Sequence, residues 1–109
     1  MTFLEAAING ARSPADHSGL PATPAEQART VAACRDQGAD AVHAHVRDDQ
    51  GRETLAAEAV GALMRAVRAT APALPVGVST GAWIVPDPDA RADHRAAMAG
   101  AAGFRLGQL

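Results

Sequence analysis

His43 and His45 stand one residue apart in the stretch ADAVHAHVRDDQGRE, residues 39–53, where the neighbours up to Val46 are Ala, Val and Asp. Side chains at i and i+2 diverge by roughly 200° on a helix but share a face on a strand, so a joint task for the two rings requires a strand. On a strand His43, His45 and Arg47 line one face, and Val42, Ala44 and Val46 line the other. Imidazoles about 7 Å apart along a strand can converge on one Zn2+ at about 2.0 to 2.1 Å per nitrogen, and catalytic zinc sites add a carboxylate and keep one position open. The plainer reading is a core histidine whose ring nitrogen is satisfied inside the fold, because a pattern as short as H-x-H also recurs by chance.

The residues beside the pair admit the same two kinds of reading. Arg47 could hold a carboxylate or phosphate bidentately, and Asp48 could accept a hydrogen bond from a ligating imidazole. Equally, Asp48-Asp49-Gln50-Gly51 has the composition of a type I turn. Ser79, Thr80 and Gly81 offer hydroxyls and permissive backbone that could cradle an anion, or they form an ordinary strand-ending turn. Asn9, Gly10 and Arg12 present that choice at an earlier loop. Glu5 falls in an apolar run, where a buried carboxylate would need a partner. His17 and His94 lie among polar residues and read as solvated, Trp83 reads as local packing, and Cys34, with no CxxC partner, reads as a small hydrophobe.

The elements that must position these groups follow from the apolar patterning. Thr2 to Ile8 is a short apolar run ended by Asn9-Gly10 and reads as a strand. Thr23-Pro24-Ala25-Glu26 is a capping box with Pro at the first helical position, which predicts a helix from about Pro24 to Gln37, its inner face formed by Ala28, Val31 and Ala32 and its stop at Gly38. The histidine strand should run from Asp40 to Val46. Leu55 to Pro72 carries Leu55, Ala59, Leu63, Met64 and Val67 on one stripe and reads as a second helix despite Gly61. LPVGV, from Leu74, begins a third strand that leaves through Ser79-Thr80-Gly81. Strands alternating with helices predict an α/β fold with a parallel sheet, and in such sheets ligands gather at the carboxyl ends of the strands. All three polar strand exits lie at that end.

Composition bounds the rest. A length of 109 residues allows one domain and falls short of the roughly 250 residues of a closed (β/α)8 barrel. Ten Lys and Arg against twelve Asp and Glu, scattered along the chain, give a formal charge of −2 and no electrostatic footprint for nucleic acid or an anionic membrane. One cysteine, no leader pattern in MTFLEAAING and no long apolar run make the expected setting soluble and cytoplasmic.

AAINGAR, LPATPAEQA, GADAVHAHVRDDQGRET and LPVGVSTGAW, in this order and spacing, resemble the N-terminal third of the β-keto acid cleavage enzymes, the family of the 3-keto-5-aminohexanoate cleavage enzymes. The resemblance covers about Phe3 to Pro88 and is most specific in H-x-H-x-R-D followed by S-T-G-[AG]. It implies a zinc-dependent TIM barrel, represented here by about its first three βα units: residues 1–88 as the barrel part and 89–109 as a divergent Ala/Gly/Arg-rich tail. The implied reaction takes a β-keto acid and acetyl-CoA to acetoacetate and a new acyl-CoA, with the metal polarising the keto group. The resemblance assigns zinc to His43 and His45 with a glutamate from late in the barrel, and the substrate carboxylate to Ser79 and the backbone of Ala82.

Arg12 stands where the aminohexanoate enzymes carry an acidic residue facing the substrate's ammonium, so the implied substrate is neutral or anionic at that end. Family chains are more than twice this length, and their distal part supplies the third metal ligand, the catalytic Asp/Arg pair and most coenzyme A contacts. The expectation for these residues alone is weak zinc binding and little turnover, within a family whose full-length members form homo-oligomers. Two rivals remain. Metal-dependent amidohydrolase barrels also carry H-x-H, but at the end of the first strand rather than the second. A non-catalytic fragment or oligomerising module would instead pair through an open sheet edge.

Overall fold

A computed structural model describes residues 2–10, 19–79 and 84–98. Its elements are β1 (Glu5–Ala7), α1 (Pro24–Asp36), β2 (Ala41–Ala44), α2 (Ala57–Thr70), β3 (Val76–Val78) and α3 (Pro88–Met98). The strands form a parallel sheet in the order β1-β2-β3. Ala7 pairs with His43 and His43 with Gly77, so the histidine strand is the central one. Among the described residues the fold is therefore mixed α/β, built on an open three-stranded parallel sheet with three helices.

Local chemistry accounts for the helices. The Thr23 hydroxyl accepts from the Glu26 amide at 3.1 Å, and the Glu26 carboxylate accepts from the Thr23 amide at 3.0 Å, which closes the expected capping box at α1. Gly38 takes a φ of 99° at the other end. There its amide donates to Arg35 O at 3.0 Å and the Ala39 amide donates to Cys34 O at 3.0 Å, a Schellman stop that only glycine adopts without strain. α2 has no side-chain cap at Ala56 and depends on packing. Its buried stripe is Val60, Gly61, Leu63, Met64 and Val67, with Leu55 buried just ahead of the helix and Ala59 half-buried. Each aliphatic side chain so buried contributes about 1.5–3 kcal/mol.

Val42, Ala44 and Val46 face this layer, in one cluster with Ala28, Val31, Leu63, Met64 and Val67. Ala32 is only half-buried, and Cys34 is half-buried against the same cluster. Parallel strands in chain order keep their right-handed crossovers on one face. The alternate positions, Ala41 and His43, therefore belong to the opposite face of the sheet.

Two expectations change. The strands are shorter than the apolar runs, so His45 lies beyond β2 rather than within it. Glu5 is exposed, because β1 is an edge strand with its outer positions open to water, and it needs no buried partner. The segment read as a divergent Ala/Gly/Arg-rich tail carries most of α3, capped by the Asp87 carboxylate accepting from the Ala90 amide at 3.2 Å, with Pro88 at the first helical position. Among the described residues no helix is long and apolar enough to cross a membrane.

Candidate metal centre

The ladder between β1 and β2 ends where Ile8 N donates to His43 O at 3.2 Å. Past that point the Asn9 side chain continues it. Asn9 Oδ1 accepts from the His45 amide at 2.9 Å, and Asn9 Nδ2 donates to the His45 carbonyl at 3.0 Å and to Pro21 O at 3.1 Å. One carboxamide thus satisfies both backbone groups of His45, a task that a paired strand would otherwise perform. Gln27, on α1 and 1% exposed, adds a second donor to the His45 carbonyl at 3.3 Å and holds Ala22 O at 3.0 Å. Its Oε1 is buried without a partner among the described residues.

On the other side, the Ser79 amide donates to Ala44 O at 3.0 Å. Continuing the observed registers by two residues sets Asn9, His45 and Ser79 in one row at the carboxyl end of the sheet. All three are buried, so the polar residues of three strand exits meet at one level.

Beyond His45 the chain turns back as a hairpin. Gly51 N donates to Asp48 O at 2.9 Å, the Asp48 carboxylate accepts from the amides of Gln50 and Arg52 at 2.9 Å each, and Gly51 takes a φ of 78°. The turn expected from Asp48-Asp49-Gln50-Gly51 is present. Arg47 pairs with Glu53 in an antiparallel bridge, and Thr54 N donates to Val46 O at 3.0 Å. This return brings the Glu53 carboxylate against His45 Nδ1, both side chains being 10% exposed. The carboxylate beside the imidazole is therefore Glu53; Asp48, the candidate for that place by adjacency, accepts both turn amides at Oδ1.

His43 is half-buried in β2, and its ring meets that of His45 edge to face, with centroids 5.6 Å apart and planes at 79°. This distance tests the metal reading. A ring nitrogen bonded at about 2.1 Å sets an ion about 3.2 Å from the ring centroid, and two such rings at a tetrahedral angle have centroids about 5.3 Å apart. The observed spacing is close to that value and is equally that of an edge-to-face ring pair with no ion between them; imidazole itself is a donor suited to zinc. Among the described residues no group of three or more His, Cys, Asp or Glu could hold a metal.

Arg47 is 7% exposed, with Nη1 donating to Gly51 O at 3.1 Å and Nη2 to Gly10 O at 2.9 Å. It laces the first strand exit to the hairpin, and an incoming carboxylate would have to share it with those carbonyls. Arg12 and Ala82, together with His17, Thr80, Gly81 and Trp83, lie outside the described residues. His94 is half-buried on α3. A cavity of about 560 Å3 opens on the helix side, between Thr23, Arg47, Thr54 and Ala59, but neither histidine lines it, and Asp48, Asp49 and Glu58 on its wall disfavour an anion there.

Sequence reasoning missed three of these contributors: Glu53, Asn9 as a strand surrogate, and Gln27. For Glu53 a signal existed. Folding the chain back at Asp48–Gly51 sets residue 53 opposite residue 47, one alternate position from His45 on the same strand.

Among the described residues the class is a mixed α/β fold on an open parallel sheet, with two histidine rings in contact at the carboxyl end of its central strand. The family model described as BKACE, beta-keto acid cleavage enzyme, matches residues 1–109. The chain belongs to the β-keto acid cleavage enzyme family, and the match runs past Pro88 through α3 to the last residue.

Proposed function

We propose that these residues form the first βα units of a zinc-dependent TIM barrel acting in the cytoplasm, which takes a β-keto acid and acetyl-CoA to acetoacetate and a new acyl-CoA. The observation that carries the metal part is the 5.6 Å approach of the His43 and His45 rings at the end of β2. The chemistry supplied by a bound zinc ion is Lewis acidity toward the keto oxygen. His43 and His45 bind it and orient it. Ser79 and the backbone of Ala82 anchor the substrate carboxylate, which turns the β-keto group toward the histidines. Arg12 favours a substrate whose far end is neutral or anionic, since a cation there repels an amine. Arg47 keeps the first two strand exits in one relative position. With two imidazoles and water as donors, the 109-residue chain binds zinc weakly and turns over little, and the intact enzyme is a homo-oligomer.

Calorimetric titration of zinc into wild type and into a His43→Ala, His45→Ala double variant tests the metal: the heats should be small in the first and absent in the second, and equal heats would end the reading. Assay with acetyl-CoA and a panel of β-keto acids tests the chemistry, where brisk turnover by these residues alone would contradict the assignment of most of the machinery to other parts of the barrel.

A second reading, a module that assembles through its sheet edge, is favoured by one observation: Phe3 and Leu4, just ahead of edge strand β1, are 66% and 54% exposed. Light scattering after size exclusion separates the two, since a stable monomer excludes assembly through that edge.

A further inference from the structure

We propose that Glu53 is a positioning residue for the metal centre: its carboxylate accepts from His45 Nδ1–H, fixes the tautomer and rotation of that ring, and leaves Nε2 as the nitrogen offered to a metal ion. The inference rests on the metal reading above and assigns a role to a residue that would not itself ligate.

Three observations carry it. The Glu53 carboxylate meets His45 at Nδ1, and both side chains are nearly removed from water, where a hydrogen bond to a carboxylate is strengthened. The contact is made by a hairpin whose geometry is separately secured: Asp48 and Gly51 close its turn, Arg47 and Glu53 bridge its strands, and the Arg47 guanidinium ties it to Gly10. The backbone under the ring is held as well, by Asn9 on both its amide and its carbonyl and by Gln27 on the carbonyl. With the main chain of His45 fixed, rotation about its side-chain bonds is the remaining freedom, and the Nδ1 contact removes it. A histidine that serves a metal through one nitrogen gains from a hydrogen bond at the other, because that bond sets which nitrogen is bare and raises its basicity. The rings of His43 and His45 meet edge to face, so fixing the second also limits the first.

The test needs no turnover. Nitrogen-15 spectra of the metal-free chain, recorded with the ring neutral, should show His45 protonated at Nδ1 and bare at Nε2 in wild type, the same in Glu53→Gln, which keeps an oxygen at equal reach, and a mixture in Glu53→Ala. Cobalt(II) titrations followed by visible absorption should show affinity falling about 10- to 100-fold in Glu53→Ala and recovering most of that loss in Glu53→Gln. A purely structural Glu53 would lower the melting temperature while leaving tautomer and cobalt affinity alone. His45 protonated at Nε2 in wild type, or Glu53→Ala binding cobalt within twofold of wild type, overturns the proposal. If wild type itself takes up no cobalt, the metal reading falls together with the metal part of this inference, and the wild-type spectra still decide whether Glu53 sets the ring. Should Glu53→Ala fail to fold, wild type and Glu53→Gln alone remain decisive through the tautomer they display.

Discussion

The two ends of the sheet are held together by different means. At the carboxyl end, buried side chains do the holding: Asn9, Gln27, Arg47 and Glu53 converge on His45 or on the loops around it. At the amino end the devices lie near water: the Schellman stop at Gly38, the Asp40 carboxylate accepting from the Leu4 amide at 2.8 Å, and exposed Phe3 and Leu4. A buried polar contact costs little when complete and much when half removed, whereas an exposed one is replaced by solvent. The carboxyl end should therefore be intolerant of change and the amino end forgiving, even though both border the same three strands.

Substitutions can break that contrast or sharpen it. The largest effect is expected from Asn9→Ala, which strips a buried amide of its acceptor and removes two donated bonds; urea unfolding should register a loss of about 2–4 kcal/mol. At the opposite end Gly38→Ala meets nothing within 4 Å of its new methyl group, so its cost is the left-handed backbone alone, about 1 kcal/mol by the same measurement. Leu4→Ser, exposed and outside the core, should change stability by less than about 0.5 kcal/mol. If Leu4→Ser proved as damaging as Asn9→Ala, the division between the ends would be wrong.

The smallest effect concerns the exposed cap of α1, which lies at the carboxyl end but outside the buried network. The amides of Thr23 and Ala22, then the Thr23 hydroxyl, hold the Glu26 carboxyl below its ordinary value of 4.5. A carboxyl lowered in the folded state contributes stability above 4.5, and that contribution disappears as pH falls through the lowered value. The stability difference between wild type and Glu26→Gln should accordingly be present at neutral pH and shrink in acid, which paired thermal melts across that range would follow. A difference that grew in acid would contradict the cap.

Much of this architecture was legible in the chain. Capping boxes, glycine stops and apolar periodicity are local, so the alternation of three strands with α1 and α2 could be read from neighbours a few residues apart. The shared face of His43 and His45 was legible for the same reason, since two residues on extended backbone can hardly point elsewhere. What escaped depends on distant segments. Strand ends are set by where partner strands stop, which is why β2 closes at Ala44 although the apolar run reaches Val46. Glu5 looked stranded among hydrophobes only because its strand was not known to be an edge. Asn9 meets His45 across 36 residues, and no pattern in either neighbourhood announces that pairing. α3 could have been found, because Asp87-Pro88 is a cap followed by its preferred first residue, but the Ala- and Arg-rich composition behind it masked the signal.

The hairpin after β2 acts as a ruler. Its four-residue turn decides which side chain stands opposite Arg47, within reach of His45, and a return strand lengthened or shortened by one residue would present Arg52 or Thr54 there instead of a carboxylate. The tolerated length of that surface loop is thus dictated from beneath by an imidazole, so insertions that an ordinary connection would absorb should be refused at Asp49 and Gln50, the two residues with the least to lose in the fold.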